Sequence, residues 1–309
     1  MQKLLTIVFI VLSFSLKAQQ DPMFTHYSFN TLSVNPAYAG SRNILSATAL
    51  HRSQWVNFDG APHTQTINLH SPILQNKAGA GLTFMNDKIG PTNTSSVFGD
   101  FAVKIKVNKK GKLALGLKAG LKFRSNKLTE LELDQINDPK FQTNAQNQIL
   151  PNLGFGFYYS SPKFYLGLGV PYLLRNEFSA NANGSDNFAR ESRHTYIISG
   201  GVIELSKDKN IQLRPSTLLK IAEGAKPQLD ITALFYFNNK IWLGPMFRTA
   251  DAAGVLAGIK VSDQFSVGYS FDWSYGVNTG RYNGGGHELM LRYDFRFKNK
   301  GKIESPAPF

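Results

Sequence analysis

Between Lys112 and Arg124 polarity separates by position. Leu113, Leu115, Leu117, Ala119, Leu121 and Phe123 are apolar, while Lys112, Lys118, Lys122 and Arg124 carry positive charge. Side chains alternate between the two faces of a strand at every residue, so a period of two predicts a β-strand with one apolar and one basic face. The split recurs in Val97 to Val107, in Phe265 to Trp273 and in His287 to Phe297. In the last of these Leu289, Leu291, Tyr293, Phe295 and Phe297 oppose Glu288, Arg292, Asp294 and Arg296. Helical 3.6 periodicity is almost absent after Ile44, which predicts an all-β chain.

About fourteen strands are predicted. They are Ile44 to Trp55, His63 to His70, Ala78 to Met85, Ser96 to Val107, Lys112 to Arg124, Pro151 to Tyr159 and Lys163 to Val170, then Arg193 to Leu205, Asn210 to Ile221, Pro227 to Phe237, Lys240 to Arg248, Ala253 to Val261, Phe265 to Trp273 and His287 to Phe297. Connections after even-numbered strands are short, such as Asn238-Asn239 and Ser262-Asp263-Gln264. Those after odd-numbered strands include the long Ser125 to Leu150, Pro171 to Ser192 and Ser274 to Gly286. Short periplasmic turns and long extracellular loops are the asymmetry of a transmembrane antiparallel β-barrel, whose even strand number puts both termini in the periplasm.

A soluble sandwich or small barrel also alternates, but it hides its apolar side chains inside, where about eight strands leave little room. A larger barrel in lipid turns them outward around a polar lumen. That reading sends Lys104, Lys106, Lys118, Lys122, Arg124, Arg214, Arg292 and Arg296 toward the lumen. Phe123, Tyr159, Phe237, Trp273 and Phe297 fall near strand ends, as interfacial aromatics do.

Composition then narrows the picture. Met1 to Gln20 places Lys3 before the apolar stretch Leu4 to Leu16 and ends in Leu16-Lys17-Ala18, the pattern of a cleavable signal peptide over residues 1–18. With no cysteine in the chain, a disulfide framework and thiolate metal sites are excluded. The net charge of +13 becomes +11 once Lys3 and Lys17 leave with the leader. Lumen charges form no exposed stripe and no nucleic-acid module is recognised, so the basic balance does not point to nucleic acid. Outer-membrane lipid is the expected surround.

No catalytic, metal or cofactor motif emerges. None of the six histidines forms a HExxH pair. His63 and His70 flank the polar row Thr64, Thr66 and Asn68, which reads more simply as hydrated lumen than as a hydrolase constellation. Ser270, Asp272 and Ser274 share one strand face with no histidine placed by sequence to activate a nucleophile. Gly154-Phe155-Gly156 and Gly284-Gly285-Gly286 precede no helix, so neither is a phosphate loop. The chain is read as a non-enzyme.

Residues 19–43 follow neither period. They contain Asp21-Pro22-Met23-Phe24-Thr25-His26-Tyr27 and then Asn35-Pro36-Ala37-Tyr38-Ala39-Gly40-Ser41. The stretch is either a periplasmic linker or an ordered segment in the lumen, with Phe24, Tyr27, Phe29, Asn35, Pro36, Tyr38 and Gly40 as candidate plug or partner-binding residues. These two runs resemble the PorP/SprF family of type IX secretion membrane proteins. A weaker likeness runs through His51-Arg52-Ser53-Gln54-Trp55 and through His287-Glu288 with Leu291-Arg292-Tyr293-Asp294-Phe295. The resemblance implies an outer-membrane protein of the type IX system, associated with gliding motility. It would work with other secretion components and with a secreted cell-surface protein whose C-terminal sorting domain it helps export or retain. It assigns no catalytic residue. A passive anion-preferring diffusion pore is the alternative, since the lumen is rich in Lys and Arg. The barrel is assigned to residues 44–297 and a basic tail to 298–309, with strand end and insertion signal at Phe297 rather than Phe309.

Overall fold

The computed structural model describes residues 21–109, 111–130, 145–179, 188–275 and 283–296. The leader, Phe297 and the tail lie outside them. Fourteen antiparallel strands close into one barrel: β1 Leu45–Ser53, β2 His63–Ile73, β3 Ala78–Ile89, β4 Thr92–Lys106, β5 Lys112–Asn126, β6 Ala145–Ser160, β7 Phe164–Val170, β8 His194–Gly201, β9 Ile211–Ala222, β10 Gln228–Phe237, β11 Ile241–Arg248, β12 Ala252–Lys260, β13 Phe265–Ser274 and β14 Gly286–Phe295. Each strand pairs with its sequence neighbours. The seam is made by β1 against β14, from Leu45 opposite Phe295 to Ser53 opposite His287.

The period of two is what makes this a barrel for lipid. Along Ile241–Arg248 exposed and buried positions alternate without a break. In β4 and β5 the exposed large apolar side chains are Val97, Phe101, Val103, Ile105, Leu115, Leu117, Leu121 and Phe123. Phe237 and Trp273 join this outward face near strand ends. Inward positions carry the polar and charged side chains, as a transmembrane barrel requires.

Several strand boundaries differ from the sequence reading: β2 runs on to Ile73, β5 runs on to Asn126, and β8 stops at Gly201, with Ile203–Glu204 pairing separately with β9. β3 runs on to Ile89 and β4 begins at Thr92, so the expected connection over 86–95 is a hairpin around Gly90-Pro91. β6 begins at Ala145 and lengthens the wall in the same way. Asn86, Asp87, Asn93, Thr94 and Ser95 are polar on both faces. Above the apolar band the alternation therefore disappears while backbone pairing continues. A small hairpin of Glu177–Ser179 with Phe188–Arg190 lies in the connection after β7.

Candidate functional site

The lumen is occupied by the chain's own amino-terminal segment. From Phe24 to Arg42 every residue except Val34 is buried. The backbone makes a turn, a four-residue helix at Thr31–Val34 and a 3-10 turn at Pro36–Tyr38, where Asn35 caps by accepting the Ala37 N–H at 3.0 Å. A segment this short cannot hold such shape alone. The barrel wall supplies its partners.

Two clusters of buried charge grip the first half. The Glu288 carboxylate accepts the backbone N–H groups of Thr25 and His26, each at 2.8 Å, and Glu288 Oε1 lies 2.8 Å from His26 Nδ1. Arg52 holds Asp272 in a two-pronged bond, at 2.6 and 3.0 Å, and donates to the Thr25 hydroxyl at 2.9 Å. Arg248 pairs with Asp230 at 2.9–3.0 Å and reaches the Phe24 carbonyl at 3.5 Å. Every partner is nearly or fully buried, so each charge depends on its counter-ion. Further along, Arg292 donates to the Phe29 carbonyl and lies over its ring at 4.9 Å, and Phe29 stacks on Trp242 at 5.5 Å. The Tyr27 hydroxyl donates to the Ser216 carbonyl at 2.9 Å.

The second half is seated by shape. Wall glycines let the segment's backbone approach closer than any side chain would allow. A Cβ added at Gly116 would stand 2.2 Å from the Ala37 nitrogen, and one at Gly79 would stand 2.0 Å from the Ala39 carbonyl oxygen. Gly40 itself has φ +67°, a left-handed conformation that favours glycine. Its N–H meets His70 Nδ1 at 3.1 Å, and its carbonyl accepts from Lys104. Asn35 donates to the Phe157 carbonyl at 2.9 Å, and Tyr38 packs edge-on against His70 and Tyr158. Arg42 closes the segment on Asp294 at 2.7 and 3.2 Å.

These contacts fix the path. Asp21 lies 2.9 Å from His194, the first residue of β8, at the long-connection end. Gly40 and Asn43 meet Asn76, Lys104 and the short turn between β2 and β3. The segment therefore crosses the lumen from end to end. Burial alone would raise the Asp21 carboxyl, but His194, Lys122 and Lys220 together hold it below the ordinary carboxylate range.

Of the basic residues expected in the lumen, Lys118, Lys122, Arg214 and Arg292 are buried inside, and Lys104 and Arg124 are partly exposed. Lys118 pairs with Asp100 at 2.9 Å and Lys122 with Glu191 at 2.9 Å, while Arg214 lies over the Tyr236 ring at 3.6 Å. Lys106 and Arg296 differ from the expectation. Both are exposed at strand ends, and Arg296 pairs with Asp263 in the adjacent turn at 3.2 Å. Their parity is inward, but the wall has ended. His63 is exposed and His70 buried against the segment, so the two do not converge. Among the described residues no group of three or more acidic or histidine side chains is arranged to hold a metal ion. The anchors Arg42, Arg52, Asp230, Arg248, Asp272 and Glu288 were missing from the candidate residues. For Arg52, Asp230, Arg248 and Asp272 the signal is a lone acidic or arginine side chain at an inward position of its strand; Glu288 shares β14 with Arg292 and Asp294, and Arg42 precedes β1.

A family model described as type IX secretion system membrane protein PorP/SprF matches residues 16–293. No curated protein matches the chain. Among solved structures, the CymD monoaromatic hydrocarbon channel aligns with TM-score 0.52 at 10% identity, over 87% of this chain and 93% of its own. The Acinetobacter baumannii outer membrane protein Omp33 aligns with TM-score 0.44 at 11% identity, over 84% and 100% of the two chains. At such identities the likeness to the channel speaks for the fold alone.

Proposed function

Since this chain belongs to the PorP/SprF family of type IX secretion system membrane proteins, we propose that it is a permanently plugged outer-membrane β-barrel that binds a secreted protein through that protein's C-terminal sorting domain and supports its export or retention at the cell surface. The observation that carries this reading is the segment from Asp21 to Asn43, which fills the lumen from end to end and is held by buried ion pairs. A diffusion pore needs a continuous aqueous path, and solutes small enough for such a path meet protein here. A barrel that passes nothing acts through its surfaces.

The test is gentle solubilisation of tagged protein from outer membranes, with mass spectrometry of what copurifies and an unrelated barrel as control. A large secreted protein retained through its C-terminal domain supports the reading. A barrel recovered alone that conducts steadily in planar bilayers refutes it in favour of the pore.

A further inference from the structure

The mouth at the long-connection end is built partly from the amino-terminal segment. A cavity of about 270 Å³ opens there, with Asp21, Pro22, Phe24 and Val34 on the segment's side and the inward faces of β3, β4 and β5 opposite. Its apolar lining continues through Met85, Ile89, Pro171 and Tyr172. At its edge Lys122 is paired with Glu191 and lies over the Tyr172 ring at 3.7 Å, Asp21 is paired with His194, the Asp87 carboxylate accepts from the Thr64 hydroxyl at 2.6 Å, and Arg124 completes the rim. The segment closes the lumen below, so whatever enters stops at this depth.

The volume falls just short of small-molecule pockets, which run about 300–1,000 Å³. It matches one large side chain with its backbone. An apolar floor, a polar rim above it and a closed bottom are the features of a socket for a protein hot-spot anchor, which is characteristically an aromatic or long aliphatic side chain. The hairpin around Gly90-Pro91 forms one wall and carries a second, wider hollow of about 930 Å³ on its other flank, beside Phe58 and Lys127. That gives the rest of a polypeptide a surface on which to lie.

We propose that this mouth faces the cell exterior and is the docking socket for an apolar anchor side chain of the exported partner, with the amino-terminal run Asp21–Phe24 as part of its floor. The inference rests on the partner-binding reading above and adds the place and the chemistry. It also puts Asp21 on the cell-surface side, although β1 starts at the opposite end.

Three variants test it in cells that retain the copurifying partner. Gln20→Cys introduces the sole thiol of a chain without cysteine, and a membrane-impermeant maleimide should label it on intact cells. Labelling only after the outer membrane is permeabilised would place the mouth on the wrong side and overturn the proposal. Thr94→Trp, at an inward position of β4, should fill the cavity and lower surface retention of the partner at least tenfold, while the heat-modifiable gel shift of the folded barrel persists. Val97→Trp, on the outward face of the same strand, should leave retention within twofold of wild type. Full retention by Thr94→Trp, or equal loss in both tryptophan variants, would refute the socket and leave the broader partner-binding reading standing. A wild-type barrel that retains no partner would refute that broader reading itself.

Discussion

Glu288→Ala removes the acceptor on which the amino-terminal segment hangs. The carboxylate receives the buried N–H groups of Thr25 and His26 and the His26 ring. Stranding a buried donor costs about 1–3 kcal/mol, and two backbone donors are stranded here besides the lost contact of the His26 ring. Arg52 retains both its bonds to Asp272, so the larger penalty of an unpaired buried cation does not arise. The segment should therefore be released by about 3–5 kcal/mol relative to the docked state, a shift of roughly a hundredfold to a few thousandfold in the docked population. Pairing of β14 with β13 and β1 uses backbone groups that the substitution leaves intact. The gel shift of the folded barrel should thus survive while single-channel recordings change from silent to intermittently conducting, and cells become more sensitive to large antibiotics. Glu288→Gln, which keeps an acceptor oxygen, should fall between. A Glu288→Ala barrel as silent and as heat-resistant as wild type would show that the charge clusters do not hold the plug.

Gly116→Val drives a side chain into the backbone at Ala37; overpacking of this kind costs about 1–3 kcal/mol or more, and the variant should show faster proteolysis of the amino-terminal segment within a folded barrel. Tyr38→Phe should leave thermal stability within about 0.5 kcal/mol, because the buried hydroxyl has no hydrogen-bond partner among the described residues. Tyr38→Ala, which deletes the ring packed on His70 and Tyr158, should lose about 3–5 kcal/mol, and equal effects in the two Tyr38 variants would contradict the packing argument. Lys118→Met strands the buried Asp100 carboxylate and should cost about 3–5 kcal/mol, whereas adding Asp100→Leu should recover most of that loss in a double-mutant cycle.

The barrel was legible because lipid imposes a strict rule on every outward residue. Leu113, Leu115 and Leu117 have no freedom to be polar, and the period of two survives in the sequence. Where lipid ends the rule lapses, and no alternation marks the tips of β3, β4 and β6 although their backbones pair. The interior was less legible. Lys118 and Arg292 stood out as inward charges, but the partners that make them affordable, such as Asp100 and the Phe29 carbonyl, come from other strands or from the plug. Arg52 sits in a run that only the family likeness marks, and Glu288 is one of four charges on the polar face of its strand. What joins them to Thr25 and His26 is a register across the seam that no local pattern carries. The glycines at 79 and 116 carry no local signal, since their reason is a backbone more than thirty residues away in sequence.

The plug is continuous with β1, crosses the whole lumen, and is tied at Asp294 and Glu288 to the strand on the far side of the seam. A thread tied at one end can enter a closed ring only by its other end, and the end that must lead here is the one at Asp21. Seating the plug and closing β14 onto β1 are therefore separable events: Arg52, Glu288 and Asp294 grip the segment through side chains, while the seam itself is stitched by backbone groups. A barrel that lets go of its own beginning keeps its wall.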